Sequence, residues 1–389
     1  MTPPGAFSGS YPGEDVTFLL KVIDLEPLDL ETRERLIQSG RSHYSEMIGR
    51  EEPPDGQYLG VFREALGRNA RRLAGDLLSL AQAVKDRPAA GPPPGGDGQG
   101  GDLALVSIAR SGTPVGVVLA RILRELLDTP VTHYSISVIR DKGADPRALD
   151  HVLSLHAPGR VVFVDGWTGK GVIARELARS VEAYNLARGT GLDPGLAVIT
   201  DLCGQARWAA GTDDYLIPSC LLNGVVSGLI SRTIHGPGLT GPSDFHGCLF
   251  YRDLAPHDLS LWLADRLMAE ARALHVAGGG LPRRAGPASP PDLARAREAS
   301  QAFMAWAEGR FGLADPNHLK PGLGEATRVL LRRSPELLMV RDPGDPDVRH
   351  ALILARRRRT AVEVRPDLPY RAAALIRRLS PDGGPSQGR

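Results

Sequence analysis

The period of apolar and polar positions changes along the chain, and each change marks a different kind of element. Between residues 56 and 86, Phe62, Leu66, Leu73, Leu77 and Leu80 recur at spacings of three and four or their sums, which puts them on one helix face. From residue 102 the runs shorten. LALVSIA (103–109), VTHYSISVI (131–139), VVFVD (161–165) and GLAVITD (195–201) read as strands, with helical patterns at 111–127 and from about 171 to 186. Apolar strands alternating with amphipathic helices predict an α/β fold with a parallel sheet covered on both faces. In the last quarter, 319–333 predicts a helix opened by glycines, 336–342 a strand, 347–359 a helix, 360–367 a strand and 369–379 a final helix.

Composition then divides the chain. RPAAGPPPGGDGQGGD (87–102) and AGGGLPRRAGPASPPD (277–292) hold too little apolar surface to build a core. The expected organisation is a helical cap over 1–86, a linker at 87–101, an α/β core over 102–276, a linker at 277–292 and a small α/β domain over 293–385. The net charge of +2 conceals a split: residues 281–389 carry 20 Lys and Arg against 12 Asp and Glu, while the other 280 residues carry 27 against 33. A basic module on an acidic body suggests a polyanionic partner such as nucleic acid. There is no run of about 18 to 20 apolar residues to cross a membrane and no signal-peptide pattern at the N-terminus. Cys203, Cys220 and Cys248 are widely spaced, without a CxxC pair. That points to a reducing compartment, hence a cytoplasmic protein.

Candidate chemistry collects after two strands. In VVFVDGWTGKGVIARELA (161–178) a strand ends in Asp165 and passes through a glycine turn into a helix, an arrangement suited to phosphate. It is not a nucleotide-triphosphate loop, because that spacing needs Gly at 164 and Ser or Thr at 171, where Val164 and Gly171 stand. Nor is it a dinucleotide loop, since Gly166, Gly169 and Gly171 are spaced three and two. An ordinary turn between strand and helix is the alternative. SIARSGTPVGVVLARIL (107–123) repeats the strand, turn and helix with Arg110, Ser111 and Gly112 at the turn. Asp201, at the end of GLAVITD, lies where ligands of open α/β sheets gather, though a turn or cap role is as common for such an acid. Asn223, Ser227, Ser231 and Arg232 are spaced to share a helix face, either lining an acceptor site or packing.

Together these segments resemble the type I phosphoribosyltransferases, which implies a fold with that family's parallel sheet. By that resemblance Asp165 takes a ribose and, with Mg²⁺, is a metal contact. Thr168, Gly169, Lys170 and Gly171 hold the 5′-phosphate of phosphoribosyl diphosphate (PRPP). Arg110, Ser111 and Gly112 hold its diphosphate, and Arg140 and Lys142, in a mobile loop, stabilise the leaving group. Asp201, Asn223 and Arg232 become acceptor-site candidates. Gly166 stands where the family has a second acid. SGSYPGEDVTFLLK (8–21), HYSEMI (43–48), HYSISVIRDKGAD (133–145), FVDGWTGKG (163–171) and 213–233 resemble a narrower bacterial family. It is the phosphoribosyltransferase-like family of tellurite-resistance and stress gene clusters, also called cysteine proteases of the StiP type.

That resemblance implies transfer of a ribose phosphate to make a nucleoside-like metabolite. Two alternatives stand beside it: a non-catalytic sensor of PRPP or a nucleotide that binds RNA, and a thiol hydrolase through Cys203. For the last, His133, His151, His156, His235 and His246 are the candidate bases. The tail is similar to the Pelota/L7Ae RNA-binding domain, which implies RNA contacts at Gly322, Gly324, Glu325 and Arg328, with Arg356 to Arg359 as possible phosphate contacts. A homo-oligomer is also compatible with the family.

Overall fold

A computed structural model describes residues 6–87, 102–277, 287–313 and 315–376. Most of both expected linkers, and the end of the expected tail domain, lie outside the described residues. The main sheet has six strands, all parallel: β1 (Thr17–Phe18), β2 (Leu103–Ile108), β3 (Val131–Ile136), β4 (Val161–Thr168), β5 (Leu196–Asp201) and β6 (Trp208–Gly211), in the order β1-β3-β2-β4-β5-β6. Period-two alternation sorts its side chains between the two faces. Leu103, Leu105, Val162 and Val164 join one apolar cluster, whereas Ala104, Val106, Val161 and Phe163 join the other. The apolar runs of the sequence are therefore strands buried on both sides, as expected.

Helices α2 (Gly56–Lys85), α3 (Thr113–Glu125) and α6 (Ser260–Val276) cover the first face. Phe62, Leu66, Leu73, Leu77 and Leu80 are all buried on α2, so the expected stripe is its core-facing side. Asp55 caps that helix by accepting from Tyr58 N. A shorter helix, α1 (Leu30–Gln38), precedes it. Helices α4 (Pro146–Leu155) and α5 (Val172–Arg188) cover the other face. The chain leaves β2 toward β3 on one side and continues through β4 to β6 on the other. The carboxyl ends of β2 and β4 thus flank the point where strand order reverses, where such sheets form their ligand crevice.

Two expectations need correction. Residues 223–232 form no helix: they hold a short 3-10 turn, Gly224–Val226, followed by Gly228 and Leu229 at positive φ. A Cβ at Gly228 would press on the Phe18 ring at 3.0 Å, so close packing dictates this backbone. The final element of the tail is likewise a strand, Ala372–Ile376, rather than a helix. Its five residues are all buried, and filling the middle of a sheet overrides the helix preference of three alanines.

The C-terminal unit has its own sheet: β7 (Leu319–Pro321), β8 (Pro335–Val340), β9 (Ala361–Val364) and β10 (Ala372–Ile376), in the order β7-β10-β8-β9. Helices α7 (Pro290–Phe311), α8 (Leu323–Arg332) and α9 (Arg349–Arg358) accompany it. It is docked on the core through polar bonds as well as apolar contact. Buried Asp214, from the core, accepts from Leu323 N at 2.9 Å and from Arg371 N at 2.8 Å. Asp347, from the tail, accepts from Leu216 N at 3.0 Å.

Replacing Asp214 by alanine leaves the buried N–H of Leu323 and the half-buried N–H of Arg371 without their acceptor, at a cost on the order of 3 kcal/mol. The urea midpoint of Asp214→Ala is expected to fall accordingly, whereas exposed Asp253→Ala stays within about 0.5 kcal/mol of the parent. Equal midpoints for the two variants would show that the docking bond contributes nothing.

Candidate functional site

At the reversal point, the turn after β2 meets the end of β4. Ser111 Oγ donates to Asp165 Oδ1 at 2.5 Å, and Gly166 N donates to the same oxygen at 2.7 Å. Burial pushes the Asp165 carboxyl up to about 6, with the Ser111 bond acting the other way. The magnesium expected at Asp165 would meet a single carboxylate whose Oδ1 already accepts two hydrogen bonds. Among the described residues, no three His, Cys, Asp or Glu come together as a metal cluster. Arg110 is buried, bridged to Glu51 at 2.5 Å, and donates to Ile230 O at 2.9 Å. Its peptide with Ala109 is cis. Gly112 is fixed by crowding, since a Cβ there would fall 2.5 Å from Val164 O.

The strand β4 continues through Gly166, Trp167 and Thr168, so the turn proper is Gly169 to Gly171. Thr168 Oγ1 donates to Asp201, which also accepts from Cys203 N at 3.1 Å and Ala206 N at 2.7 Å. Asp201 therefore organises its own turn, the plainer of its two sequence readings. Gly171, at φ +74, caps α5. Gly169 lets the C-terminal unit close in: a Cβ there would sit 2.9 Å from Glu325 Cγ. On the tail side, a Cβ at Gly324 would meet the Trp167 ring at 2.5 Å, and one at Gly322 would meet Leu202 Cδ1 at 2.5 Å. Arg328 stacks over Trp167 at 4.5 Å and donates to Glu325 at 2.6 Å. The two motifs that the sequence placed in separate domains thus face each other.

Between them lies a cleft of about 650 Å³, lined by eight Lys and Arg against three acids. Arg140 and Arg232 reach it with their guanidinium groups 5.1 and 5.4 Å from the Tyr44 ring centre. Burial pushes Arg232 down to about 10. Lys142 is committed elsewhere, to Glu46 at 3.1 Å and His235 O at 2.8 Å. Asn223 heads the 3-10 turn, its buried Oδ1 without a partner. Sequence reasoning missed Arg33, Tyr44, Lys320 and Arg332, which also line the cleft. They come from α1, the turn after it, β7 and α8, and only tertiary docking assembles them.

All three cysteines are buried. The Cys203 thiol donates to Asp201 Oδ1 at 3.5 Å, and burial together with Asp201 pushes it up to about 12. It borders a second cleft, of about 610 Å³, which shares Arg140 and Lys170 with the first. A Cβ at Gly171 would lie 3.0 Å from Cys203 Sγ and 2.9 Å from Arg175 Nη1, so the thiol stands at the amino end of α5 beside a guanidinium. Cys220 borders a cavity of only about 20 Å³, and burial pushes its thiol up to about 12. The expected histidine bases are engaged elsewhere. His133 bonds Ser107 and Asp15 O, and His156 bonds the Tyr134 hydroxyl, whose ring lies against His151. His235 stacks on His246, which bonds Ser137.

Residues 9–268 match the family model described as "Tellurite-like stress resistance cysteine protease StiP", and residues 298–378 match the PELOTA RNA binding domain. A protein of Acinetobacter baylyi named cysteine protease StiP is 37% identical over 386 residues, spanning 96% of this chain and 95% of its own. The chain belongs to the StiP family. No solved structure matches it. The StiP family and its tail domain were legible in the sequence, but the transferase reading is corrected. The family and the relative carry the name of a cysteine protease, which overturns phosphoribosyl transfer as the function. In the structure Thr168 bonds Asp201, Arg110 pairs with Glu51 and Lys142 pairs with Glu46. Among the described residues of this StiP-family chain, no helix is long and apolar enough to cross a membrane.

Lys170 joins the two clefts. Its ammonium donates to Pro316 O and Leu319 O. Burial pushes it down to about 7, with Lys320 and Arg140 adding to the effect against Asp315 and Glu325. That value lies below the free lysine value, so between pH 7 and about 10 the unfolded chain binds the proton more readily. Stability from this group rises with pH across that window and is lowest below it. Lys170→Met is expected to unfold at a higher temperature than the parent near pH 6, with the two converging toward pH 10. A difference that stays constant over this range would refute the depressed value.

Proposed function

We propose that this chain is a thiol hydrolase, with Cys203 as nucleophile and Asp201 as the group that takes the thiol proton. One observation supports this reading: Cys203 borders a cleft large enough to admit a substrate, at a helix amino end, whereas Cys220 borders one of only about 20 Å³. The name of the Acinetobacter relative points to the same chemistry. A thiol is activated where positive potential favours the thiolate. The free N–H groups of the first turn of α5 and the guanidinium of Arg175 supply it, opposing the burial that keeps the resting thiol protonated.

In the reaction, the Sγ proton passes to Asp201 as sulfur forms a bond to the acyl carbon of the substrate. The acyl–nitrogen bond breaks and the departing amine takes the proton from Asp201. Water then adds to the thioester and the carbon–sulfur bond breaks, releasing a carboxylic acid and restoring the thiol. The negative charge that develops on the acyl oxygen is offset by the same N–H groups. Arg140, Arg297 and Lys170 around the cleft favour substrates with acidic groups.

p-Nitrophenyl acetate tests the nucleophile, because a reactive thiol releases one equivalent of nitrophenolate in a burst. The burst is expected from the parent and from Cys220→Ser, and is expected to vanish in Cys203→Ser. A burst that survives Cys203→Ser, or that vanishes only in Cys220→Ser, would overturn the assignment.

A further inference from the structure

The cationic cleft between the core and the C-terminal unit shares Arg140 and Lys170 with the cleft at Cys203, but the thiol chemistry does not account for its other cations. Five of its eight cations, Arg33, Lys170, Arg232, Lys320 and Arg332, form no salt bridge among the described residues. Their donors go to backbone carbonyls instead: Arg33 to Arg332 O, Arg232 to Met47 O, and Lys170 to Pro316 O and Leu319 O. Arg33 Nε, Arg232 Nη1, Arg332 Nε and the indole N–H of Trp167 are buried without any protein acceptor. All four side chains belong to this one cleft.

Such a group is costly by itself. Burial pushes Lys320 below the usual lysine range and Arg332 well below the usual arginine range, with Arg110 adding to the effect on Arg332. Cations held together away from water are retained where an anion joins them. The anion must also be small in cross-section. A cleft of about 650 Å³ has the size of a small-ligand site and does not admit a duplex. One wall is α8, which lies inside the RNA-binding match and carries Gly324, Glu325 and Arg328, with Gly322 at its cap. Gly322 and Gly324 are themselves pressed against Leu202 and Trp167, and it is Glu325 and Arg328 of this segment that line the cleft.

We propose that this cleft receives the phosphorylated end of a single-stranded RNA, its phosphates held by Arg33, Arg232, Lys320 and Arg332. The shared chemistry, a phosphate monoester on a nucleotide, belongs equally to a free mononucleotide, and the test separates the two sources. The site is independent of Cys203, so its failure and the failure of the hydrolase reading are distinguishable.

The full-length chain is titrated by fluorescence anisotropy with a 5′-phosphorylated ten-nucleotide RNA, its hydroxyl-ended twin and the corresponding duplex, and with adenosine monophosphate as competitor. The phosphorylated strand is expected to bind more tightly than the other two. Arg232→Ala/Arg332→Ala is expected to weaken binding roughly tenfold or more and to lower the salt slope by roughly 0.7 for each phosphate that is no longer neutralised. Cys203→Ser and Arg357→Ala, the latter at the exposed end of α9, leave the affinity unchanged. If the double variant does not fold, Lys320→Met carries the same expectation. Full competition by adenosine monophosphate at matching concentration would assign the site to a free nucleotide and overturn the RNA. Equal affinity for phosphorylated and hydroxyl ends, preference for duplex, or loss of binding in Arg357→Ala alone would overturn the cleft as the site.

Discussion

One carboxylate fixes the geometry on which both clefts depend. The first N–H of α8 is capped by Asp214, which reaches it from the core, rather than by a side chain of its own unit. The same carboxylate holds the backbone of Arg371, just before β10. A buried acid that satisfies two N–H groups from another unit sets distance and orientation together, in a way that apolar contact alone does not. With α8 so placed, Gly324 meets Trp167 and Glu325 meets Gly169, and the cationic wall of α8 faces the end of β4. Burial pushes Asp214 up to about 6, against the backbone bonds that favour its charge.

Much of the scaffold was legible from the period of apolar residues. The α2 stripe, the four apolar strands and the helices α3 and α5 follow from local pattern, because burial on one or two faces leaves a direct mark on the sequence, whereas α4 was not among the expected helices. The pattern failed where packing outweighed it. Ala372–Ile376 looks helical by composition but fills the middle of a sheet, with antiparallel partners on both sides. Residues 223–232 have helical spacing, yet Gly228 and Leu229 turn the backbone left-handed against Phe18.

The candidate site was legible in part. The sequence marked both turns at the strand-order reversal, and the structure brings Ser111 and Asp165 together there. What it did not disclose was how those polar groups are spent. A motif states which donors are available but not which neighbours take them up: Arg110 finds Glu51 and Thr168 finds Asp201, and both are then occupied. Arg33, Lys320 and Arg332 left no local signature, since each lies on an ordinary amphipathic element and gains its place only through docking.

Gly169 and Gly324 also bear on what a gene fragment of this chain would encode. The proline- and glycine-rich stretch before residue 290 looks like the join between two interchangeable modules. The physical seam runs elsewhere, through Trp167, Leu202 and the first turn of α8, where backbone presses on ring and side chain with no room for a methyl group. Cutting at the linker would bare that seam on both pieces, leaving an aromatic scar on one and an uncapped helix on the other. Inheritance of the two halves as a single unit is therefore a requirement of the interface, and exchanging the tail for another RNA-binding domain would mean rebuilding the crevice as well.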